Sequence, residues 1–393
     1  MKNEGIISKN WFSSFKKFFS RQPGGDVFLL VLVMAMVGFG LLMVYSASYI
    51  FAEERTGDGF TFIKKQLMYA ALGFCALFFS SRIPHQRWYQ WAPVALFTVI
   101  GMLVLVMIPG VGARVGGAQR WINLGLFRFQ PAELAKLVGV IFVARQLVRH
   151  QLHLNDFRRG VVAPVALLLP MMGLLLLQPD FGSTALLAGT TFILMYVAGV
   201  RPLYLFGGLF GGLGAAAILI ITSPYRLARV MTFMDPWRDP AGKGFQVIQS
   251  MLGLHNGSLL GQGLGNGKEK HFFLPEAHND FIFAVIGEEL GFIGVAAVIL
   301  AYILFIYRGL KISWAALHTR QDRFGFYLGV GISVILGLQA FINMGVVMGL
   351  LPTKGLTLPF ISYGGSALTL NLFAIGILYS ISKANQGSFY EAE

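Results

Sequence analysis

The chain has 393 residues, of which 55% are hydrophobic and only 12% charged, with a mean hydropathy of +0.66. Soluble domains carry roughly twice that share of charge, so a string of two or three soluble domains is excluded. The formal charge of +13 would raise nucleic acid as a partner, but no basic stripe with interleaved aromatics lies outside the N-terminus, and positive inner loops facing anionic lipid account for it instead.

Residues 1–26 form a basic segment in which Trp11, Phe12, Phe15, Phe18 and Phe19 recur at helical spacing beside Lys16 and Lys17. This pattern predicts an amphipathic helix lying in the membrane interface, with a disordered tail as the alternative. The first apolar run starts near Val27, is long enough to span, and ends without a small-x-small cleavage pattern, so it is expected to stay in the membrane. A span needs about 20 mostly apolar residues. On that rule helices are expected near 27–48, 66–82, 92–108, 132–148, 161–177, 183–199, 203–222, 280–306, 325–349 and 366–382, leaving 384–393 as a tail. The apolar runs are continuous rather than alternating, which disfavours a β-barrel. The fold class is therefore an all-α polytopic membrane protein of about ten transmembrane helices, with one membrane domain over 27–383.

Two connecting segments are long, 109–131 and 223–279, and loops of that length are usually functional or disordered. The second holds Trp237, Phe245, Gln246, Val247, Ile248 and Gln249 and is expected to be ordered. Cys75 lies in an apolar block and reads as a small packing residue. The cluster Gly207, Gly208, Gly211 and Gly212 fits close helix–helix contact. No internal repeat is evident.

With the N-terminus inside, the inner segments hold seventeen Lys and Arg, including Lys16, Lys17, Arg145, Arg149, Arg158, Arg159, Arg308, Lys311, Arg320 and Arg323. The outer loops hold far fewer, chiefly Arg55, Lys64, Lys65, Arg114, Arg120, Arg128 and Lys354. That asymmetry places both termini in the cytoplasm, which requires an even number of spans.

Ionisable residues inside or at the edge of a span are functional candidates, and four places qualify. In Gln130-Pro131-Ala132-Glu133-Leu134-Ala135-Lys136, Pro131 suits a helix start, and Glu133 and Lys136 share a face. A purely structural ion pair is the alternative. In Leu274-Pro275-Glu276-Ala277-His278-Asn279-Asp280 the long loop re-enters the membrane, with Asp280 at the edge of the eighth helix. Asp280 is either a plain N-cap or a general base whose partial burial suits proton transfer. His278 and Asp280 are too few ligands for zinc, while an oxygen-bound Mg²⁺ or Mn²⁺ helped by substrate phosphates stays open.

Glu288 and Glu289 lie offset from Asp280 by roughly 80° and 180° on a continuous helix, so only Glu288 could share its cavity. The fourth place, Leu351 to Ser366, mixes Pro352, Gly355, Pro359, Gly364 and Gly365 with the single cation Lys354. It reads as an irregular re-entrant segment facing an anionic group. The Gly261 to Gly267 run lacks the strand–turn–helix context of a dinucleotide loop and is taken as a flexible turn. No Walker A sequence is present, so ATP-driven chemistry is not expected, and no Ser-His-Asp set can be picked out from the sequence.

Together Arg120-Trp121-Ile122, Arg128 to Lys136, Gln178-Pro179-Asp180-Phe181-Gly182, Leu274 to Asp280 and Leu351 to Ser366 resemble the SEDS family of bacterial cell-wall polymerases, over residues 27 to 383. Pro275 to His278 and Pro352 to Thr357 look like the division-type branch rather than the elongation-type one, whereas Asn279 and Phe245 replace a more usual Thr and Tyr. The resemblance implies a ten-helix SEDS-type fold and a peptidoglycan glycosyltransferase acting on lipid II, in the bacterial cytoplasmic membrane at the division septum. Asp280 would be its catalytic residue, with Arg128, Glu133 and Lys136 in the same cavity. It also implies a class B penicillin-binding transpeptidase as partner, alongside the growing glycan strand and other division membrane proteins.

The residues fit that expectation. Asp280 would take the proton of the attacking sugar hydroxyl, and Arg120, Arg128, Lys136 and Lys354 are candidate cations for the departing diphosphate. Gln130, His278 and Ser362 are further candidate substrate-binding residues. Trp121 would either pack a sugar ring or anchor a helix at the interface. No organic cofactor is expected, and a divalent cation remains an option. A lipid II flippase of the same hydropathy and an elongation-type polymerase are the alternatives, whereas an inactive scaffold leaves the polar cluster unexplained.

Overall fold

The computed structural model describes residues 24–115, 118–123, 125, 128–242, 244–267, 277–353 and 355–390. The expected interfacial helix before residue 24, and Lys354, lie outside the described residues. Among the described residues, eight helices are long and apolar enough to cross a membrane: α1 (Val27–Thr56), α2 (Thr61–Ser80), α3 (His85–Met107), α7 (Phe181–Ala198), α8 (Pro202–Ile221), α11 (Ile282–Arg320), α12 (Arg323–Val347) and α13 (Gly365–Tyr390). A ninth span is a bent pair. A π turn and α5 (Ala163–Ala166) meet α6 (Leu168–Leu177) at 40°. Pro170 lies four residues after Ala166, and a proline ring there clashes with the carbonyl one turn back, which explains the bend.

The tenth, α4 (Pro131–Arg149), has 19 residues, about 28 Å of helix. Glu133, Lys136, Arg145 and Arg149 keep it from passing as apolar, yet most of it is buried. Ten helices correspond to the expected runs once the bent pair and α4 are counted with the eight, while most boundaries shift outward: α1 runs eight residues past its expected end, and α13 continues to Tyr390 instead of leaving a tail at 384.

Helix ends follow local chemistry. Asp26 caps α1 by accepting from the Leu29 N–H at 2.9 Å, and Gly57 closes it with φ +71°. At the side assigned as inner by the charge asymmetry, Arg308 pairs with Asp26 at 2.7 Å, and His85 at the head of α3 pairs with Asp322, the cap of α12. The buried centre is α12, packed against α4, α7, α11 and α13, while α13 packs most extensively on α2.

Three features depart from the sequence expectation. The first long loop folds into a small antiparallel sheet, β1 (Gly112–Val115), β2 (Ala118–Asn123) and β3 (Arg128–Phe129), in that order. Ala113 faces Trp121 across it, so Trp121 sits on a strand and anchors no helix. Cys75 is exposed on the outward face of α2 rather than packed inside. Nothing approaches within 4 Å of a Cβ placed on Gly207, Gly208, Gly211 or Gly212. Their helix, α8, packs chiefly against α7 and the short α9 (Pro224–Met234), so the expected close contact is not made among the described residues.

The second long loop is ordered where it is described, with α9 and α10 (Phe245–Asn256), the latter against α11. Helix α11 is really two helices. Gly291 has φ +65° and ψ −162°, which an L side chain rarely adopts. The loop after α10 fills the break: the N–H groups of Phe292 and Ile293 donate to Ser258 and Leu259, and those of Gln262 and Gly263 donate to Glu288 and Glu289. Backbone groups freed by the kink are thereby satisfied inside the fold, as a membrane span requires.

Candidate active site

On the side assigned as outer by the charge asymmetry, a cavity of about 720 Å³ opens between the head of α4, the small sheet, the turn before α11 and the segment before α13. It also takes in residues of α1, α2 and the start of α7. Arg120, Trp121, Arg128, Gln130, Glu133, His278 and Asp280 all line it.

Asp280 lies in the turn Ala277–Phe281 that precedes α11. The capping residue is Phe281, which makes no side-chain capping bond, so the reading of Asp280 as a plain N-cap is not what the fold uses. Asp280 is tied down through its backbone: the Asn343 side chain on α12 donates to its carbonyl at 2.8 Å. A Cβ on Gly355 would stand 3.3 Å from Asp280 Oδ2, so a glycine lets the re-entrant loop pass close to the carboxylate.

Glu133 and Lys136 form a buried pair in the first turns of α4, with Lys136 Nζ 2.9 Å from Glu133 Oε1 and 2.8 Å from Oε2. Glu133 faces the cavity. Lys136 does not line it but lies behind Glu133, where it also donates to Gln339 Oε1 at 2.6 Å. Its ammonium is turned to Glu133 and Gln339 and not to the cavity, whereas the sequence expectation places it among the cations facing a diphosphate.

Arg120 donates from Nε to the carbonyl of Gln178 at 2.7 Å and from Nη2 to that of Pro179 at 2.8 Å. It staples β2 to the turn whose Asp180 caps α7 by accepting from the Ser183 N–H and hydroxyl. Arg128 is exposed at the cavity rim, with its backbone N–H on the Tyr69 hydroxyl and its carbonyl accepting from Ser366. The Ser366 hydroxyl also accepts from the Gln130 N–H, which fixes the start of α4.

His278 lies among the rings of Phe62, Phe51 and Tyr363, at 4.5, 5.5 and 5.5 Å, and its carbonyl accepts from the Tyr363 N–H. Burial, aided by nearby Arg55, pushes the imidazole down to about 4, so it is neutral at physiological pH. Ser362 does not line the cavity: its hydroxyl accepts from the Leu358 N–H and its carbonyl accepts from Gln66, which shapes the re-entrant loop from behind.

Several lining residues are given no site role by the sequence: Arg55, Lys65 and Tyr69, and, inside the segments it singles out, Asp180, Thr357 and Tyr363. Arg55 and Lys65 had a signal, as cations on the cation-poor outer side at the ends of α1 and α2. Glu288, expected to share the cavity, does not line it; the break at Gly291 and the docked loop bury it fully. Glu289 is equally buried and accepts from the Ser46 hydroxyl at 2.7 Å.

Among the described residues, no group of three or more His, Cys, Asp or Glu could hold a metal ion. Glu133 is engaged by Lys136 and Asp180 by Ser183, so these side chains do not make an all-protein divalent site. The arrangement can position a carboxylate opposite several cations, across a cavity wide enough for a sugar.

The family model described as "Cell cycle protein" and covering FtsW, RodA and SpoVE matches residues 27–387. The probable peptidoglycan glycosyltransferase FtsW of Geobacter metallireducens is 44% identical over 92% of this chain and 96% of its own. Stage V sporulation protein E of Bacillus subtilis is 39% identical over 93% of this chain and 98% of its own. Among solved structures, a chain of a peptidoglycan synthase complex that coordinates polymerization and crosslinking matches with a TM-score of 0.76 and 31% identity, covering 92% of this chain and 98% of that one. The rod shape determining protein RodA of Thermus thermophilus matches with a TM-score of 0.68 and 27% identity, over 92% and 97%.

Proposed function

The chain belongs to the FtsW/RodA/SpoVE cell-cycle family, and from that premise we infer that it is a peptidoglycan glycosyltransferase that polymerises lipid II at the outer face of the membrane, with Asp280 as the general base. The observation that carries the assignment of the base is the convergence of Asp280, Glu133, Arg120 and Arg128 on one outer cavity.

The acceptor hydroxyl loses its proton to Asp280 as its oxygen attacks the anomeric carbon of the donor. The bond from that carbon to the lipid diphosphate breaks, and the electron pair leaves with the diphosphate. Arg128, with Arg55 and Lys65 on the same cavity, offsets the developing charge. Arg120 is already committed to two carbonyls and holds the wall in place. Trp121 offers a ring for a sugar to pack against. A Mg²⁺ or Mn²⁺ ion, if held there by the substrate diphosphate, would supply further charge neutralisation beside Arg128.

The division role is supported by the likeness to relatives named FtsW and by the 44% identity to one of them. A class B penicillin-binding transpeptidase is the proposed partner, supported by the match to a chain of a peptidoglycan synthase complex. The protein is a multi-pass membrane protein; septal placement and cytoplasmic termini complete the proposal, and a fluorescent fusion concentrated at midcell tests the first of these. Purified protein reconstituted with that partner and labelled lipid II is expected to yield glycan strands, with and without divalent cation as separate arms. Transport of lipid II without any strand formation would instead establish a flippase.

A further inference from the structure

Two amides inside α12, Gln339 and Asn343, are buried at 1% and 2% exposure. Polar side chains at such depth are costly unless hydrogen-bonded. They lie four residues apart, hence on one face of the helix.

Each amide serves two masters. Asn343 Nδ2 donates to the carbonyl of Leu356 at 2.6 Å and to that of Asp280 at 2.8 Å. Gln339 donates from Nε2 to the carbonyl of Thr357 at 2.9 Å and accepts from Lys136 Nζ at 2.6 Å. If these residues served only to satisfy a re-entrant loop, the bonds to Leu356 and Thr357 would suffice. The second bond of each goes instead to a residue of the cavity machinery. The result is one continuous chain of contacts, from Glu133 through Lys136, Gln339, the loop at 356–357 and Asn343 to Asp280.

We propose that Gln339 and Asn343 are positioning residues that hold the Asp280 carboxylate and the Glu133–Lys136 pair in fixed relation across the cavity, a role that rests on Asp280 being the base. The carbonyl held by Asn343 belongs to the peptide linking Asp280 to Phe281, at the joint between the turn and α11. Fixing that peptide fixes the direction in which the Asp280 side chain leaves the backbone. Gln339 does the same for the Lys136 ammonium, which otherwise has freedom along its four-carbon stem.

The test uses the full-length protein with its transpeptidase partner and lipid II. Asn343→Ala and Gln339→Met are expected to lower kcat on the order of a hundredfold, as displacement of a reacting group by about 1 Å does, with KM for lipid II unchanged. Asn343→Ser, which restores one donor, is expected to recover part of that loss. The acid limb of the kcat pH profile is expected to move in Asn343→Ala. Loss of folded protein would scale that profile without moving it, and size exclusion and thermal melting report such loss directly. Arg55, Lys65, Tyr69, Arg120, Arg128, Glu133, Asp180, His278 and Tyr363, the other ionisable groups on the cavity, stay unaltered throughout.

Near-normal kcat in both variants, or a scaled but unmoved profile, overturns the positioning role. If Asp280→Asn is dead while the α12 variants behave normally, only this inference fails. If Asp280→Asn remains active, the reading of the base fails and this inference falls with it.

Discussion

Lys136 Nζ lies 2.9 Å from Glu133 Oε1, one turn apart at the head of α4, with both side chains nearly sealed from solvent. Glu133 sits in the first turn, where a carboxylate also meets the positive end of the helix dipole. Removing one member of such a pair strands the other charge. Lys136→Met is therefore expected to destabilise the detergent-solubilised protein by about 3–5 kcal/mol. The double variant Glu133→Gln with Lys136→Met should regain most of that stability while remaining inactive. Thermal melting of the three proteins, beside a polymerisation assay, decides it; equal melting of single and double variants would contradict the account.

Arg120 spans two carbonyls, those of Gln178 and Pro179, with a forked guanidinium that an ammonium cannot reproduce. Arg120→Lys keeps the charge and loses the staple. Polymerisation should fall on the order of tenfold, equivalent to about 1.4 kcal/mol of transition-state stabilisation. Unchanged kcat/KM for lipid II would show that charge alone matters at this position.

His278 is buried as the neutral imidazole, with its folded value near 4 against an ordinary 6.5. Above pH 6.5 neither folded nor unfolded chain holds the proton, and the stability it reflects is fully present. As pH falls from 6.5 towards 4, only the unfolded chain takes up the proton, and stability is lost, on the order of 3 kcal/mol in all. Melting temperatures taken between pH 7.5 and 4.5 should decline less steeply in His278→Asn than in the parent. Identical slopes would mean that His278 does not titrate in this way.

Gly291 breaks α11 at φ +65°, and a Cβ there would stand 2.4 Å from the backbone nitrogen of Gly261. Gly291→Ala is expected to cost about 1–3 kcal/mol from the backbone strain alone, and more if the loop undocks. Faster amide exchange at Phe292 and Gln262, which now bond across the break, would reveal the undocking. Unaltered exchange in that variant would place the strain elsewhere.

Much of the fold could be read from the chain because apolar run length maps directly onto span length. The run from Val27 and the capped start at Pro131 illustrate this. Helix ends could not be read as well, since α1 and α11 continue as helices past their apolar stretches into polar ends. The break at Gly291 was hidden because a glycine within an apolar run gives no sign of its φ, and its cause is a loop about thirty residues earlier. The small sheet was missed for a similar reason, as its strands are too short to carry periodicity. At the site, the charged candidates largely converged, because a charge beside a span has few other reasons to exist. Lys136 and Ser362 were placed one layer too far forward, since sequence spacing shows which residues share a face but not which of them reaches the cavity. Gln339 and Asn343 gave a faint signal as amides inside an apolar run, which only their partners made meaningful.

The central claim is that one carboxylate, at the joint before α11, abstracts the proton that starts each glycosyl transfer. The most direct test is the rate of glycan-strand formation from lipid II by full-length protein with its transpeptidase partner, for the parent and for Asp280→Ala at matched folded concentration. The account predicts no strands from Asp280→Ala while its melting temperature and lipid II binding stay at parental values. Strand formation at the parental rate by that variant would contradict it.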